Sequence, residues 1–121
     1  MRDGIFLLLR PMQTLRMIIE KRTYKIKASL RTEFLEMFES RSVPEHQKIG
    51  IKILLPFLSV EDADTFLFMR AFPDLESRDP LKAQFYEGKL WKKELEQKRM
   101  PMIEKYDVVV VGAKDGLGQW R

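Results

Sequence analysis

Between Thr65 and Phe72 the chain reads Thr-Phe-Leu-Phe-Met-Arg-Ala-Phe, and both alternating sets of residues are largely apolar. Successive side chains on a strand project to opposite faces, so Phe66, Phe68, Arg70 and Phe72 share one side and Leu67, Met69 and Ala71 the other. A strand of this kind has to be covered on both faces. Helices can cover one of them. Something else must cover the second, and this requirement narrows the chain to a layered α+β fold with a further partner for its sheet.

The neighbouring segments fit that demand. Leu15 to Ile26 is rich in β-branched and aromatic residues and carries Ile18, Glu20, Arg22, Tyr24 and Ile26 on one face, which predicts a first strand. After Lys27, Ser29 is the expected N-cap of an amphipathic helix whose stripe is Leu30, Phe34, Leu35 and Phe38. That helix ends near Arg41 or resumes after Pro44 and runs to Lys48, and Gly50 breaks it. Ile51 to Val60 reads as a second strand, with Pro56 marking an edge position or a bulge, and the short acidic link Glu61-Asp62-Ala63-Asp64 suits a hairpin. Asp79-Pro80 is expected to start a second helical region with Leu81, Phe85, Leu90, Trp91 and Leu95 on its apolar side, interrupted at Gly88 and ended by Met100-Pro101. Tyr106 to Val111 is the last predicted strand.

Strand, helix, strand, strand, helix, strand is the split βαβ order of the ferredoxin-like fold: a four-stranded antiparallel sheet with helices on one face. A chain of 121 residues, 45% hydrophobic, builds one such domain. We assign residues 14–111 to it, residues 1–13 to an N-terminal arm (an extra edge strand, a dimer arm or an upstream start codon) and residues 112–121 to a tail. No segment is long and apolar enough for a membrane span of about 20 residues or for a signal-peptide core. Cysteine is absent, which excludes disulfides and thiol catalysis and suits a cytoplasmic location.

At this level the sequence resembles the NIPSNAP family of the dimeric α/β-barrel superfamily over roughly residues 16–111. The stretches that carry the likeness are Glu20-Lys21-Arg22-Thr23-Tyr24, Glu33-Phe34-Leu35-Glu36-Met37-Phe38 and Ala71-Phe72-Pro73-Asp74-Leu75-Glu76-Ser77-Arg78, with Phe85 and Trp91 downstream. Where the family often turns with Pro-Gly after its first strand, this chain has Ala28-Ser29. The resemblance implies a homodimer whose two sheets face each other as a barrel. It also implies a superfamily that includes cofactor-free oxygenases, haem-degrading enzymes and lactone isomerases, and a family mostly without assigned chemistry.

The net charge of +4 would suit an acidic partner, but the basic residues are interleaved with acids, as in Lys92-Lys93-Glu94-Leu95-Glu96-Gln97-Lys98-Arg99, the pattern of a solvated helix face. Nucleic acid is therefore not the expected partner. The lone His46, between Glu45 and Gln47, reads as a solvent-exposed side chain, although in this superfamily a single histidine can ligate haem. Glu33, Glu36 and Glu39 read as a solvated flank, and the glycines from Gly112 to Gly118 have no following helix with which to hold a phosphate. No metal or cofactor is expected.

Arg22 and Arg70 differ from these. Guanidinium groups among phenylalanines must reach solvent or find acceptors. Glu20 shares their face, so an internal ion pair competes with a ligand site. The candidate ligand-binding set is Arg22, Tyr24, Arg70 and Trp91, suited to a small organic acid or another hydrophobic ligand in a cleft between sheet and helices. Such a cleft would serve cofactor-free oxygenase or isomerase chemistry. The alternative is a non-catalytic homodimeric scaffold or interaction module.

Overall fold

A computed structural model describes residues 17–113. Strands β1 (Met17–Ile26), β2 (Lys52–Leu58), β3 (Thr65–Phe72) and β4 (Ile103–Ala113) form one antiparallel sheet in the order β2-β3-β1-β4. This is the ferredoxin-like arrangement expected from the sequence. Helix α1 runs through three continuous spans, α-helical Arg31–Met37, π-helical Phe38–Ser42 and α-helical Val43–Ile49. Helix α2 is Leu75–Tyr86, and α3 comprises a π-helical span Leu90–Leu95 and an α-helical turn Glu96–Arg99, closed by the 3-10 turn Met100–Met102.

The register decides which side chains meet. Glu20 lies opposite Arg70 and Arg22 opposite Phe68 across β1 and β3, while Tyr24 lies opposite both Phe66 and Tyr106. On this face Tyr24, Ile26, Phe34, Phe38, Phe66, Phe68 and Met102 make the main core, and Ile18, Ile51 and Phe72 a second cluster beside it. Burying a large apolar side chain contributes about 1.5–3 kcal/mol, so these residues hold α1 to the sheet. The opposite face carries Phe57, Val109 and Val111, each 43–50% exposed. Pro56 lies on the edge strand β2 where the pairing with β3 shifts between Leu54 and Phe57, so both properties expected of that proline hold.

Two helix starts differ from expectation. Ser29 does not cap α1: it adopts φ 69°, and the capping position is Leu30, which makes no side-chain capping bond. The Leu30 amide donates to the Lys27 carbonyl at 3.0 Å, closing a turn around Ala28-Ser29. Ser29 thus takes the left-handed conformation that glycine fills in a Pro-Gly turn, at a cost of roughly 1–2 kcal/mol for a residue with a Cβ. Helix α2 begins at Leu75 rather than at Pro80, because Asp74 is the cap, its Oδ1 accepting from the Ser77 amide at 2.7 Å. Pro80 lies inside α2, beyond its first turn, and has no amide to donate to the Glu76 carbonyl four residues back.

Gly50 ends α1 at φ 108°, its amide donating to the His46 carbonyl, and Gly88 separates α2 from α3. A Cβ at Gly88 would stand 2.8 Å from the Gln84 carbonyl oxygen, so the sharp bend that begins α3 needs glycine. Strand β4 starts three residues before the predicted Tyr106 and includes Gly112 and Ala113, which the sequence assigned to a tail. The predicted arm, residues 1–13, and the remainder of the tail lie outside the described residues. No helix among the described residues is long and apolar enough to cross a membrane.

Candidate functional site

The site is built outward from Glu20, which β1 turns toward the helices and which is fully buried. A buried carboxylate needs partners. Its Oε1 accepts from Arg22 Nη1 at 2.9 Å and Arg70 Nε at 2.8 Å, and its Oε2 from Arg78 Nε at 2.7 Å and Lys82 Nζ at 3.1 Å. Burial alone would push this carboxyl up, but the charges and hydrogen bonds of Arg70 and Lys82 outweigh it and hold the group well below the usual carboxylate range. The internal ion pair anticipated for Arg22 is therefore present, and Arg70 and α2 share it.

Arg70 carries the network across to α1. Its Nη1 donates to His46 Nε2 at 2.9 Å, and His46 Nδ1 donates to the Ser42 carbonyl at 2.7 Å. A guanidinium is only a donor, so Nε2 must accept, and the ring is fixed as the neutral Nδ1–H tautomer. Burial, and then the Arg70 charge, lower the His46 pKa to about 3. The expectation of an exposed histidine is corrected: His46 is 2% exposed, and its lone pair is engaged by Arg70 rather than open to a metal or haem.

The reason is the π-helical span. In an α-helix a step of four residues overshoots a full turn by about 40°, so Phe34, Phe38, Ser42 and His46 would wind off the core-facing side. Here the Val43 amide donates to the Phe38 carbonyl, five residues back. The wider turn takes up the overshoot, and Phe34, Phe38, Ser42 and His46 all end buried. Helix α3 repeats the device, with the Glu96 amide donating to the Trp91 carbonyl, and Leu95 and Arg99 buried one after the other.

Arg99 is the buried cavity-lining residue that sequence reasoning missed, because it closes a run read as a solvated face. It is 4% exposed, and its Nη1 donates to Ser42 Oγ while its guanidinium lies over Phe34 and Phe38, 4.3 and 5.3 Å from the ring centroids. No carboxylate pairs with it among the described residues. Burial lowers its pKa to about 10, still charged at neutral pH. Nε of Arg99 and Nη2 of Arg70 are buried without a hydrogen-bond partner. The signal in the sequence is the spacing Trp91, Leu95, Arg99, each four apart.

Between sheet and helices these residues enclose a cavity of about 340 Å³. All four residues predicted from the sequence line it, together with His46 and Arg99. Arg22 Nε donates to the Tyr24 hydroxyl at 3.1 Å, and Trp91, half-buried, packs against Phe85 and Tyr86 with ring centroids 5.8 and 5.2 Å apart. At the mouth Lys92 and Glu96 pair loosely at 3.8 Å, and an exposed Arg41–Glu94 pair at 2.6 Å ties α1 to α3. Glu33, Glu36 and Glu39 are exposed, as expected of a solvated flank.

A family model described as NIPSNAP matches residues 19–112. No curated protein matches the chain. Among solved structures, a NIPSNAP family protein with unknown function from Agrobacterium tumefaciens is 20% identical, with a TM-score of 0.71, covering 81% of this chain and 88% of its own. A second NIPSNAP family protein of that organism is 18% identical, TM-score 0.70, covering 78% and 90%. A putative antibiotic biosynthesis monooxygenase from Nitrosomonas europaea is 13% identical, TM-score 0.66, covering 81% and 90%. At these identities the likeness is one of fold.

Proposed function

The chain belongs to the NIPSNAP family, and we propose that it binds a small organic acid in the cavity between sheet and helices. The observation that carries this reading is Arg99, a buried guanidinium with no acid beside it, facing that cavity. An uncompensated buried charge is costly, and a ligand carboxylate accepting from two or three N–H groups would offset that cost. Arg22, Tyr24 and Arg70 supply the polar floor, and Trp91 supplies an apolar wall. Cofactor-free isomerase or oxygenase chemistry on an enolisable acid is compatible with such a floor, since guanidinium groups stabilise an enolate.

The test is a thermal-shift panel of small carboxylates and their neutral amides on the native protein and on Arg99→Gln. A carboxylate at a hundred times its Kd stabilises by about 2.7 kcal/mol, several degrees in a domain of this size. We expect that shift in the native protein, little in Arg99→Gln and none from the amides. Equal shifts in both proteins, or no carboxylate shifting the native one, would sink the reading.

For the open sheet face we propose a second copy of the chain, because Phe57, Val109 and Val111 form an apolar surface that water would otherwise meet. A homodimer without ligand binding is the scaffold reading, and the same panel separates the two. We take its compartment to be the cytoplasm, in keeping with the cysteine-free sequence.

A further inference from the structure

We infer, building on the acid-binding reading, that the ligand is an elongated aromatic acid of two or more fused rings, held with its carboxylate on Arg99 and its far ring on Trp91. The acid end is set by charge. Arg22 and Arg70 both donate to Glu20, whereas no carboxylate pairs with Arg99 among the described residues. Arg99 Nη1 donates to Ser42 Oγ and Nε is buried, which leaves Nη2 as the accessible end of this guanidinium in the cavity wall.

The ring end is set by which aromatic faces are still open. Of the large apolar side chains that line the cavity, all but Met100 and Ile103 are aromatic. Cations already lie over most of these rings: Arg99 over Phe34 and Phe38, Arg22 at 5.7 and 5.8 Å from the centroids of Tyr24 and Tyr106, and Arg70 at 5.3 Å from that of Tyr86. No cation among the described residues lies over Trp91. Its ring neighbours Phe85 and Tyr86 meet it at 44° and 89°, so neither lies flat on the indole. Trp91 is partly exposed and lines the cavity, and a flat ligand ring is the partner its open face lacks.

The length comes from α3. Trp91 and Arg99 stand eight residues apart on it, a rise of about 12 Å in α-helical geometry and somewhat less through the wider π-helical turn. Helical side chains lean the same way along the axis, so indole and guanidinium keep a separation of that order. A single ring whose carboxylate sits on Arg99 stops short of Trp91. Fused rings in line with the carboxylate reach it, and a cavity of about 340 Å³ has room for them.

Isothermal calorimetry with three acids tests this: 2-naphthoate, its saturated analogue trans-decahydro-2-naphthoate, and benzoate. The two bicyclic acids share a carbon skeleton and a charge, and the saturated one has at least as much apolar surface, so burial alone does not favour the naphthoate. Stacking on Trp91 should make the naphthoate bind about tenfold tighter than its saturated analogue. In Trp91→Leu that ratio should fall to about one while benzoate stays within about twofold of its native affinity, and Trp91→Phe should keep most of the ratio. Arg99→Gln should weaken all three acids together. If the two bicyclic acids bind the native protein equally, or if Trp91→Leu keeps the native ratio, this inference is overturned and the acid-binding reading stands. If none of the three binds, both are overturned.

Discussion

Lowering the pH from 7 to 5 should cost this protein stability through one side chain. His46 Nε2 accepts from Arg70 at 2.9 Å, and its ring stays neutral in the fold down to about pH 3, against an ordinary value of 6.5 in the unfolded chain. The unfolded state therefore binds a proton that the folded state refuses, so stability is full above the unfolded value and is lost as pH falls below it. For these two values the loss between pH 7 and pH 5 comes to about 2 kcal/mol, a substantial share of a domain stability of about 5–15 kcal/mol. The carboxylates barely contribute in this window, since they titrate near 4 when unfolded. Urea unfolding at pH 7, 6 and 5 reads the loss directly. His46→Gln keeps an acceptor for Arg70 and cannot titrate, so its stability should be flat across the same range. A native protein equally stable at pH 7 and 5, or a variant with the native slope, refutes the neutral, Arg70-bound histidine.

Glu20→Gln removes the one anion among Arg22, Arg70, Arg78 and Lys82, and breaking a buried ion pair from one side costs about 3–5 kcal/mol; its melting temperature should fall by at least 10 °C, and a change of a degree or two would mean that the carboxylate is not the hub described. Light scattering at micromolar concentration should give twice the 14.4 kDa chain mass, and a monodisperse monomer would refute the second copy on the open sheet face.

The order of elements was legible because each strand and helix declares its period within a few residues. The Glu20–Arg22 pair was legible for the same reason, being two apart on one strand. The candidate set Arg22, Tyr24, Arg70 and Trp91 came together because alternation and strand order fix which side chains share a layer, and all four line one cavity. What escaped was set by non-standard turns. His46 sits two four-residue steps beyond Phe38, where α-helical winding leads away from the core, and the π-helical span brings it back, while the charged run around Arg99 hides its place on the Trp91–Leu95 stripe. Asp74 lost to Asp79 as a helix start because both are good caps and the proline after Asp79 suits a first helical turn.

Glu20 draws cations from three elements at once, Arg22 from its own β1, Arg70 from β3, and Arg78 and Lys82 from α2. Glu20 is the one buried anion at that point, so the cations of β3 and α2 meet it only when β1 is in place. A half-assembled chain in which β3 and α2 have docked before β1 carries three crowded cations, Arg70, Arg78 and Lys82, with no buried anion between them. One in which β1 has slipped by a single residue turns Glu20 to the apolar side of the sheet. Structures that leave Glu20 out of this cluster are thereby penalised, so this carboxylate acts as a source of folding cooperativity: the three elements are expected to form and to melt together.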